Sequence, residues 1–456
     1  MDFIRLFREK LISLLDSKSF RKNFLNALPF WVGAIITGLV SVLYAKLFSW
    51  AEEGTSYIYE KEKWLFFIIT PLTFVIAWWV VKKYSPYSKG SGIPQVVAAI
   101  ELSGTKEKSK IDKLLDLKVI IVKMLSSLIM IFGGGAIGRE GPTIQISASI
   151  FKKINDYLPE WYPKIANKTM IVTGAAAGLA SAFNTPLGGI VFAIEELTRT
   201  HFNFFKSALL TGVIIAGLTA LNLLGPYLYL GYPLINDTSL WMVLIIIPVS
   251  IVTGLSGSGM GQAILFISEK KKNLKNNKNK LLYTLVCGLI LASLAVLIDA
   301  RAFGSGKEIM VATLFTDSKY LEWYIPVLRI IGPIISFTSG AAGGIFAPSL
   351  SAGASIGALI SGFMELSGTE TNLIVLCGMV GFLTGITRSP FTSSILVIEM
   401  TNNHNIIFNL MLTAVVANLV SNFISKHSFY DHLKDQYLSD LKKEDAPDLK
   451  KLKVPL

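Results

Sequence analysis

Residues 138–142 read Gly-Arg-Glu-Gly-Pro, and residues 344–348 read Gly-Ile-Phe-Ala-Pro. Each stretch places glycine and then proline directly ahead of a run of small and apolar residues, a pattern typical of a helix start. The Gly-Ser-Gly of residues 90–92 also recurs, at 304–306, and a third set follows in order, with 174, 186, 194 and 195 matched by 378, 390, 398 and 399. This ordered recurrence predicts an internal duplication with a spacing of 204 to 214 residues.

The composition places the duplicated chain in a membrane. Of its 456 residues, 52% are hydrophobic and 16% are charged, whereas a soluble domain carries about 25% charged residues. A helix needs about 18 or more apolar residues to cross the bilayer core. Stretches of at least 18 residues that contain no Asp, Glu, Lys or Arg include 27–45, 64–81, 207–236, 238–268, 281–298 and 401–425. The sequence therefore predicts an all-α, polytopic membrane protein and excludes a soluble fold.

The distribution of charged residues along the chain, whose net charge is +12, indicates the membrane topology. Six lysines lie between residues 270 and 280, whereas the segment 51–63 carries four glutamates. Because basic residues accumulate on the cytoplasmic side, we expect both termini and the 269–280 loop to be cytoplasmic and 51–63 to be outside. We therefore expect a protein of the plasma membrane that binds no nucleic acid.

The glycines and prolines of these motifs also indicate what kind of binding site lies within the membrane. Duplicated membrane proteins with interrupted helices commonly build their sites where the broken helices meet. We expect Pro142 and Pro348 to lie at the first position of a helix, where proline loses no hydrogen bond. The free N–H groups of a helix start carry partial positive charge, and within a bilayer they require a partner. The pattern therefore favours an anion site built from helix N-termini.

Several of these stretches carry a family resemblance. They are residues 90–94 (Gly-Ser-Gly-Ile-Pro), 138–142, 343–348 (Gly-Gly-Ile-Phe-Ala-Pro), the run 183–196, and Tyr430 beyond the last apolar stretch. Together they resemble the CLC chloride channels and transporters, over about residues 28–435. The resemblance implies a multi-helix fold of two inverted-topology repeats, with broken helices that meet at mid-membrane.

The expected domain organisation follows from this resemblance and from the charge pattern. Residues 1–27 are interpreted as a cytoplasmic amphipathic helix, and 28–435 as the transmembrane domain. The first repeat is placed at about 28–200 and the second at about 206–425, and residues 436–456 are interpreted as a short cytoplasmic tail without the CBS domains of some CLC proteins.

The resemblance also implies roles for single residues. Chloride would be held by the hydroxyls of Ser91 and Tyr430 and by the backbone N–H groups of Ile345 and Phe346. Glu140 would be the external gating and proton glutamate, and Glu196 the internal proton acceptor. The loops around the anion are expected to comprise Gly90, Gly92, Pro94, Gly138, Arg139, Gly141, Pro142 and Gly344.

Each of these assignments has a simpler alternative. Ser91 is also typical of a helix cap, and Tyr430 is also typical of the aromatic belt at a membrane interface. Glu140 could pair with the adjacent Arg139. A carboxylate within the membrane is costly, however, and is commonly part of an ion or proton pathway.

The repeat itself distinguishes two neighbouring glutamates. Glu195 has a counterpart in the second half, Glu399, whereas Glu196 is matched by Met400. A residue that is present in both halves is more plausibly structural, for example as an acceptor for backbone N–H groups. A proton pathway needs one route only. This argument selects Glu196 as the proton residue and predicts a structural role for Glu195.

The sequence thus predicts exchange of chloride for protons, and a passive chloride channel is the alternative. No cofactor or metal is expected, because chloride is the transported ligand. Expected partners are chloride, protons, membrane lipid and a second copy of the chain in a homodimer. An intramembrane hydrolase would need a nucleophile–base pair that the motifs do not supply, so no enzymatic activity is expected. A cation-coupled carrier would need carboxylates and carbonyls at the helix breaks, where helix N-termini are predicted instead.

Overall fold

The computed structural model describes residues 18–198, 206–225, 228–235, 241–274, 276–317 and 319–444. Within these residues the chain is built from α-helices joined by short turns. In chain order they are α1 (Lys18–Glu62), α2 (Phe66–Tyr84), α3 (Ile93–Ser103), α4 (Ile111–Leu114), α5 (Leu117–Phe132), α6 (Glu140–Asp156), α7 (Asn167–Phe183), α8 (Pro186–Phe192), α9 (Lys206–Leu224), α10 (Met242–Lys272), α11 (Asn277–Leu297), α12 (Lys307–Phe315), α13 (Tyr324–Thr338), α14 (Phe346–Phe363), α15 (Gly368–Thr387), α16 (Pro390–Thr401), α17 (Ile407–Ser421) and α18 (Phe429–Glu444).

The lengths of these helices fit a membrane domain. Seven of the described helical segments are long and apolar enough to cross a bilayer. At the N-terminus, residues 18–27 of the predicted amphipathic helix run directly into the first span as part of α1, and residues 1–17 lie outside the described residues. At the other end α18 continues past 435 to Glu444, and residues 445–456 lie outside the described residues. The predicted domain boundaries stay predictions.

The described helices repeat in order. The series α1, α2, α3 and α5–α9 corresponds, helix by helix, to α10, α11, α12 and α13–α17. Each series begins with a long helix. In this order α9 takes the place in the first series that α17 takes in the second. The start of the second repeat at about residue 206 stays a prediction.

The centre of each half is a pair of closely packed helices, α6 with α7 and α14 with α15. A Cβ atom added to Gly353 of α14 would lie only 2.2 Å from the carbonyl oxygen of Gly378 in α15. In the first half a Cβ atom on Gly178 of α7 would lie 2.5 Å from the hydroxyl of Ser147 in α6. Small residues allow this close approach, which is common between membrane helices. Most residues of α6, α7, α14 and α15 are buried.

The two motif prolines are not at the first position of their helices, and that prediction was wrong. Helix α6 begins at Glu140 and α14 at Phe346, so Pro142 and Pro348 are third residues. The helical bonding starts earlier because the Thr143 N–H donates to the Arg139 carbonyl, at 2.9 Å. A proline in the first turn still loses no hydrogen bond, since the first four N–H groups of a helix have no partner within it.

Candidate functional site

The loop at residues 90–92 brings Ser91 to the buried start of α3. Gly90 and Gly92 adopt φ angles of +65° and +106°, in the left-handed region that favours glycine. Ser91 is 1% exposed, and within the described part of the chain its hydroxyl has no hydrogen-bond partner. A Cβ atom on Gly141, in the first turn of α6, would lie 2.3 Å from the Ser91 hydroxyl oxygen. The starts of α3 and α6 therefore meet at Ser91, and glycine at 141 leaves room for its hydroxyl.

Tyr430 reaches the same place from α18. Its side chain is 1% exposed, and its ring is stacked on that of Phe346, with centroids 6.3 Å apart and planes inclined at 12°. Its hydroxyl lies beside the Ser91 hydroxyl and interacts with it electrostatically, but the two do not form a hydrogen bond of ordinary geometry. This burial excludes the alternative of an interfacial aromatic residue for Tyr430, since such residues sit at the level of the lipid headgroups.

The remaining predicted anion ligands are backbone groups at the start of α14. Ile345 and Phe346 are 1% and 2% exposed, and Phe346 is the first helical residue. Among the described residues, neither N–H group donates a backbone hydrogen bond. The helix dipole adds partial positive charge at this point. Two hydroxyls and two N–H donors are therefore brought together, as predicted, while their role in binding chloride stays a prediction.

Glu140 is the first residue of α6 and is 1% exposed. Its carboxylate lies where α6 and α14 begin, because a Cβ atom on Gly138 would be 2.4 Å from Glu140 Oε2 and 3.2 Å from Ala347 Cβ. The Tyr229 hydroxyl donates to Glu140 Oε1 at 3.5 Å, at the long end of hydrogen-bond distances. Arg139 is the N-cap residue of α6, and the described ion pairs do not include one between it and Glu140. The alternative of an Arg139–Glu140 pair is therefore not supported.

Short backbone bridges tie the loops of the two halves together. Gly138 and Gly344 exchange both of their backbone hydrogen bonds, at 2.8 Å each. At the loop of residues 90–92 the Gly90 N–H donates to the Ala341 carbonyl at 2.8 Å, and the Gly343 N–H donates to the Gly90 carbonyl at 3.1 Å. These bridges fix the starts of α3, α6 and α14 relative to one another. Pro94, the second residue of α3, helps to start that helix.

Lys123 is a site residue that the sequence analysis missed. It lies in the middle of α5, is fully buried, and donates from Nζ to the Gly90 carbonyl at 2.9 Å. Its Nζ therefore places a hydrogen-bond donor one residue from Ser91. The available signal was a lysine within an otherwise apolar helix, because a buried charge in a membrane is costly unless it has a function or a partner.

The predicted structural role of Glu195 is confirmed. Its carboxylate accepts hydrogen bonds from the N–H groups of Phe391 at 3.1 Å and Thr392 at 2.6 Å, in the first turn of α16. Glu399 does the same for α8, whose Leu187 and Gly188 N–H groups lie at 3.0 and 2.6 Å. Each half thus contributes the glutamate that caps a helix of the other half.

Glu196 has different surroundings from its neighbour. It is 3% exposed and lies in the π-helical turn Ala193–Thr198, a type of turn that is frequent at functional sites. The Ser389 hydroxyl donates to Glu196 Oε2 at 2.7 Å. A narrow gap, too small to hold a water molecule, is lined by Glu196 together with Phe346 and Tyr430. Neither Ser389 nor the π-turn was anticipated, because neither leaves a pattern in the sequence.

Comparison with known proteins agrees with this geometry. The chain is similar to proteins named H(+)/Cl(-) exchange transporter ClcA from Salmonella newport (strain SL254) and Salmonella agona (strain SL483), each 28% identical over 432 residues. The alignments cover 90% of this chain and 88% of each relative.

Solved structures show the same fold. A slow cyanobacterial Cl-/H+ antiporter superposes with a TM-score of 0.79 at 22% identity, and a CLC-type fluoride/proton antiporter with 0.76 at 21%. Each superposition covers 91% of this chain and 98% of the other. The predicted all-α membrane fold of CLC type is therefore confirmed. Residues 73–422 match the family model described as voltage gated chloride channel, and the chain belongs to this family.

Proposed function

We propose that this protein is a secondary active transporter that exchanges chloride for protons across the plasma membrane. The observation that carries the proposal is a pair of buried carboxylates, Glu140 and Glu196, both within electrostatic range of Tyr430. A passive channel needs an anion pathway alone, whereas an exchanger also needs titratable groups inside the membrane. The exchange named for the relatives supports the same choice.

In this proposal chloride binds between the hydroxyls of Ser91 and Tyr430 and the N–H groups of Ile345 and Phe346. These donors replace the water that the ion loses, and the positive ends of the helix dipoles balance its charge. The Nζ group of Lys123 acts through the Gly90 carbonyl, to which it donates at 2.9 Å. It holds the loop that carries Ser91 without contacting the ion.

Glu140 couples the two ions because its carboxylate and chloride favour the same helix starts. A charged Glu140 accepts from the donors of α6 and α14 and excludes an anion from that position. Protonation removes this charge, so the neutral side chain leaves and chloride replaces it. Each exchange at this point therefore links the arrival of a proton to the movement of an anion.

Glu196 serves the opposite end of the proton route. We propose that the proton route runs from Glu196 past Phe346 and Tyr430, which line the same narrow gap, toward the anion cluster. The Ser389 hydroxyl orients the Glu196 carboxylate through the 2.7 Å hydrogen bond. We propose that protons reach Glu196 from the cytoplasm, in agreement with the cytoplasmic side expected for the lysine-rich 269–280 loop.

The proposal includes a homodimer with both termini in the cytoplasm. Exposed apolar side chains on α9 and α17, among them Leu218 and Phe408, form surface that either lipid or a second copy would cover. Crosslinking of single cysteines on α9 and α17 in native membranes separates these two cases. Covalent dimers that form at low protein density support the homodimer.

The decisive experiment is a paired flux measurement in liposomes. An imposed chloride gradient drives protons uphill if the two ions are exchanged, and an uncoupler of the proton gradient accelerates chloride release. Chloride flux without proton movement would instead identify a passive channel. No flux of either ion, in protein that remains folded by circular dichroism, would contradict both readings.

A further inference from the structure

An open cavity of about 320 Å³ reaches Gly90, the residue that precedes Ser91. We call it the lysine cavity, because among the described residues five lysines but a single carboxylate line it. These charged residues are Lys82, Lys89, Lys271, Lys272, Lys280 and Asp440. Such an excess of one charge in a concave site attracts ions of the opposite charge.

Part of this charge is already compensated. Asp440 pairs with Lys272 at 3.4 Å. Lys271 donates from Nζ to the carbonyls of Thr338, at 2.9 Å, and Ser339, at the end of α13. The carbonyls orient the Lys271 ammonium but do not neutralise it, since they carry no net charge. The cavity therefore retains more positive than negative charge.

The other lysines of the cavity either contact an aromatic ring or have no described ion pair. Lys89 Nζ lies 5.1 Å from the centroid of the Tyr437 ring, and Lys82 Nζ lies 4.8 Å from that of Trp78. Cation–π contacts of this kind hold an ammonium in place without removing its charge. Lys280 is not part of a described ion pair.

These ammonium groups repel one another. Burial lowers the pKa of Lys89, the positive charges of Lys272 and Lys280 lower it further, and Asp440 opposes the shift. Lys271 is also within electrostatic range of Lys89 and Lys280. A cluster of like charges that the protein itself does not neutralise is destabilising, and a bound anion relieves the repulsion.

We propose that the lysine cavity is a binding site for a phosphate-bearing anion. A phosphate monoester carries about −1.5 to −2 charges near neutral pH and three acceptor oxygens, so it offers more than one acceptor to Lys89, Lys271 and Lys280, whereas chloride carries a single charge. Free phosphate compounds and lipid headgroups that end in a phosphate monoester, such as that of phosphatidic acid, share this chemistry.

Because Gly90 forms part of the cavity wall, an occupant lies next to the loop that carries Ser91. A polyvalent anion held there blocks chloride from this side and inhibits transport. The binding itself is independent of the proposed function, and only the inhibition rests on it.

Binding is tested first, by calorimetric titration of the solubilised protein with pyrophosphate, against gluconate at equal ionic strength. We expect Lys280→Gln and Lys89→Gln each to weaken pyrophosphate binding by about tenfold, the value of one charge-assisted hydrogen bond. Lys442→Gln, which removes an exposed lysine of α18 outside the cavity, is the matched control and leaves binding unchanged. Equal binding by wild type and both cavity variants, or an equal loss in Lys442→Gln, overturns the proposal.

Transport then distinguishes the source of the phosphate. Vesicles of phosphatidylcholine receive pyrophosphate on both sides, and a second set contains phosphatidic acid instead. Inhibition by pyrophosphate that Lys280→Gln relieves assigns a soluble ligand, and inhibition by phosphatidic acid that the same variant relieves assigns a lipid headgroup. Flux that neither addition changes, while wild type and Lys280→Gln bind pyrophosphate differently, overturns the inhibitory role. If the wild type carries no flux, the proposed function is contradicted. The pyrophosphate titration then decides by itself whether the lysine cavity is an anion site.

Discussion

The two Gly-Ser-Gly loops, at residues 90–92 (the first loop) and 304–306 (the second loop), show how one scaffold supports two outcomes. Each loop precedes a short helix, and in each a fully buried basic side chain donates to the carbonyl of the first glycine. In the first loop this side chain is Lys123, at 2.9 Å, and in the second it is Arg329, at 3.2 Å. Lys123 and Arg329 are 206 residues apart, the same spacing as Gly138 and Gly344.

The loops differ in what satisfies their polar groups. In the second loop the Ser305 N–H donates to Glu52 Oε1 at 2.9 Å, and the Ser305 hydroxyl accepts from the Lys307 N–H at 3.5 Å. In the first loop the hydroxyls of Ser91 and Tyr430 are buried without a hydrogen-bond partner among the described residues. A buried hydroxyl without a partner is destabilising. The hydroxyls of Ser91 and Tyr430 are therefore open to a ligand. At the second loop the Ser351 hydroxyl beside Gly306 is also buried without a partner among the described residues.

Arg329 closes the second loop further. Its guanidinium donates to the carbonyls of Arg301, Phe303 and Gly304, at 3.0 to 3.2 Å. A Cβ atom on Gly306 would lie 2.3 Å from Arg329 Nη2. The planar guanidinium of Arg329 donates to several carbonyls at once and occupies the space inside the second loop. The single Nζ of Lys123 donates to one carbonyl and leaves space beside the first loop.

The largest expected effect is the difference between variants of two carboxylates, Glu140 near the first loop and Glu52 near the second loop. Glu140→Gln should reduce proton movement by about a hundredfold or more while chloride still passes, because glutamine is neutral and cannot carry a proton. Glu52→Gln should keep the coupling and shift only its pH dependence, since Glu52 accepts a backbone hydrogen bond in the second loop and acts on Glu140 through its charge alone. Paired chloride and proton fluxes in liposomes measure both variants. Persistent pH-driven proton transport by Glu140→Gln would contradict the assigned role.

The next comparison is between adjacent glutamates. Glu196→Gln should lower proton flux by about tenfold to a hundredfold and preserve chloride flux, because the proton loses its internal acceptor. Glu195→Gln should keep the coupling but lose about 1.5–3 kcal/mol of stability, because a charged cap of α16 is removed. Thermal unfolding in detergent, with Glu399→Gln as the matched control, measures the second effect. If Glu195 controls coupling, the argument from the repeat has failed.

A smaller effect is expected on selectivity. Ser91→Pro removes a hydroxyl and a backbone N–H, so chloride binding should weaken by about tenfold, equal to about 1.4 kcal/mol. Nitrate should lose less, because its charge is spread over three oxygens. Ser305→Ala should leave both affinities unchanged. An unaltered ratio of chloride to nitrate affinity in Ser91→Pro would mean that Ser91 does not contribute to anion selectivity.

The smallest effect concerns Tyr229, which the sequence analysis did not single out. Its hydroxyl holds Glu140 Oε1 by a bond at 3.5 Å, worth about 0.5 kcal/mol. Tyr229→Phe should therefore shift the pH dependence of chloride flux and change the rate by about twofold. The groups that also act on Glu140 are Arg139, Glu52 and Lys307. A pH profile identical to that of the wild type would show that Tyr229 only packs against Phe183.

Much of the site was predictable because its residues occur in local motifs. The motifs around Ser91, Glu140 and Phe346 place glycines where tight turns expose N–H groups, and this requirement is visible in the sequence. Lys123 and Tyr229 were missed, since each reaches the site from a helix or turn that carries no motif. The first-position assignment of Pro142 failed because the helix begins with the bonding of Thr143 to Arg139, which a proline rule does not describe.

By itself the sequence determined the membrane environment, the duplication, and which of two neighbouring glutamates is structural. These properties depend on composition and on spacing along the chain, so no contact between distant residues is needed to infer them. Only the tertiary structure decided which Gly-Ser-Gly loop stays open. That outcome depends on Arg329 and Glu52, which fill the second loop from distant helices, and on Tyr430, which meets Ser91 only when α18 packs against the start of α14. Hydrogen bonds are satisfied in space, and the order of residues along a chain does not state which partners will meet.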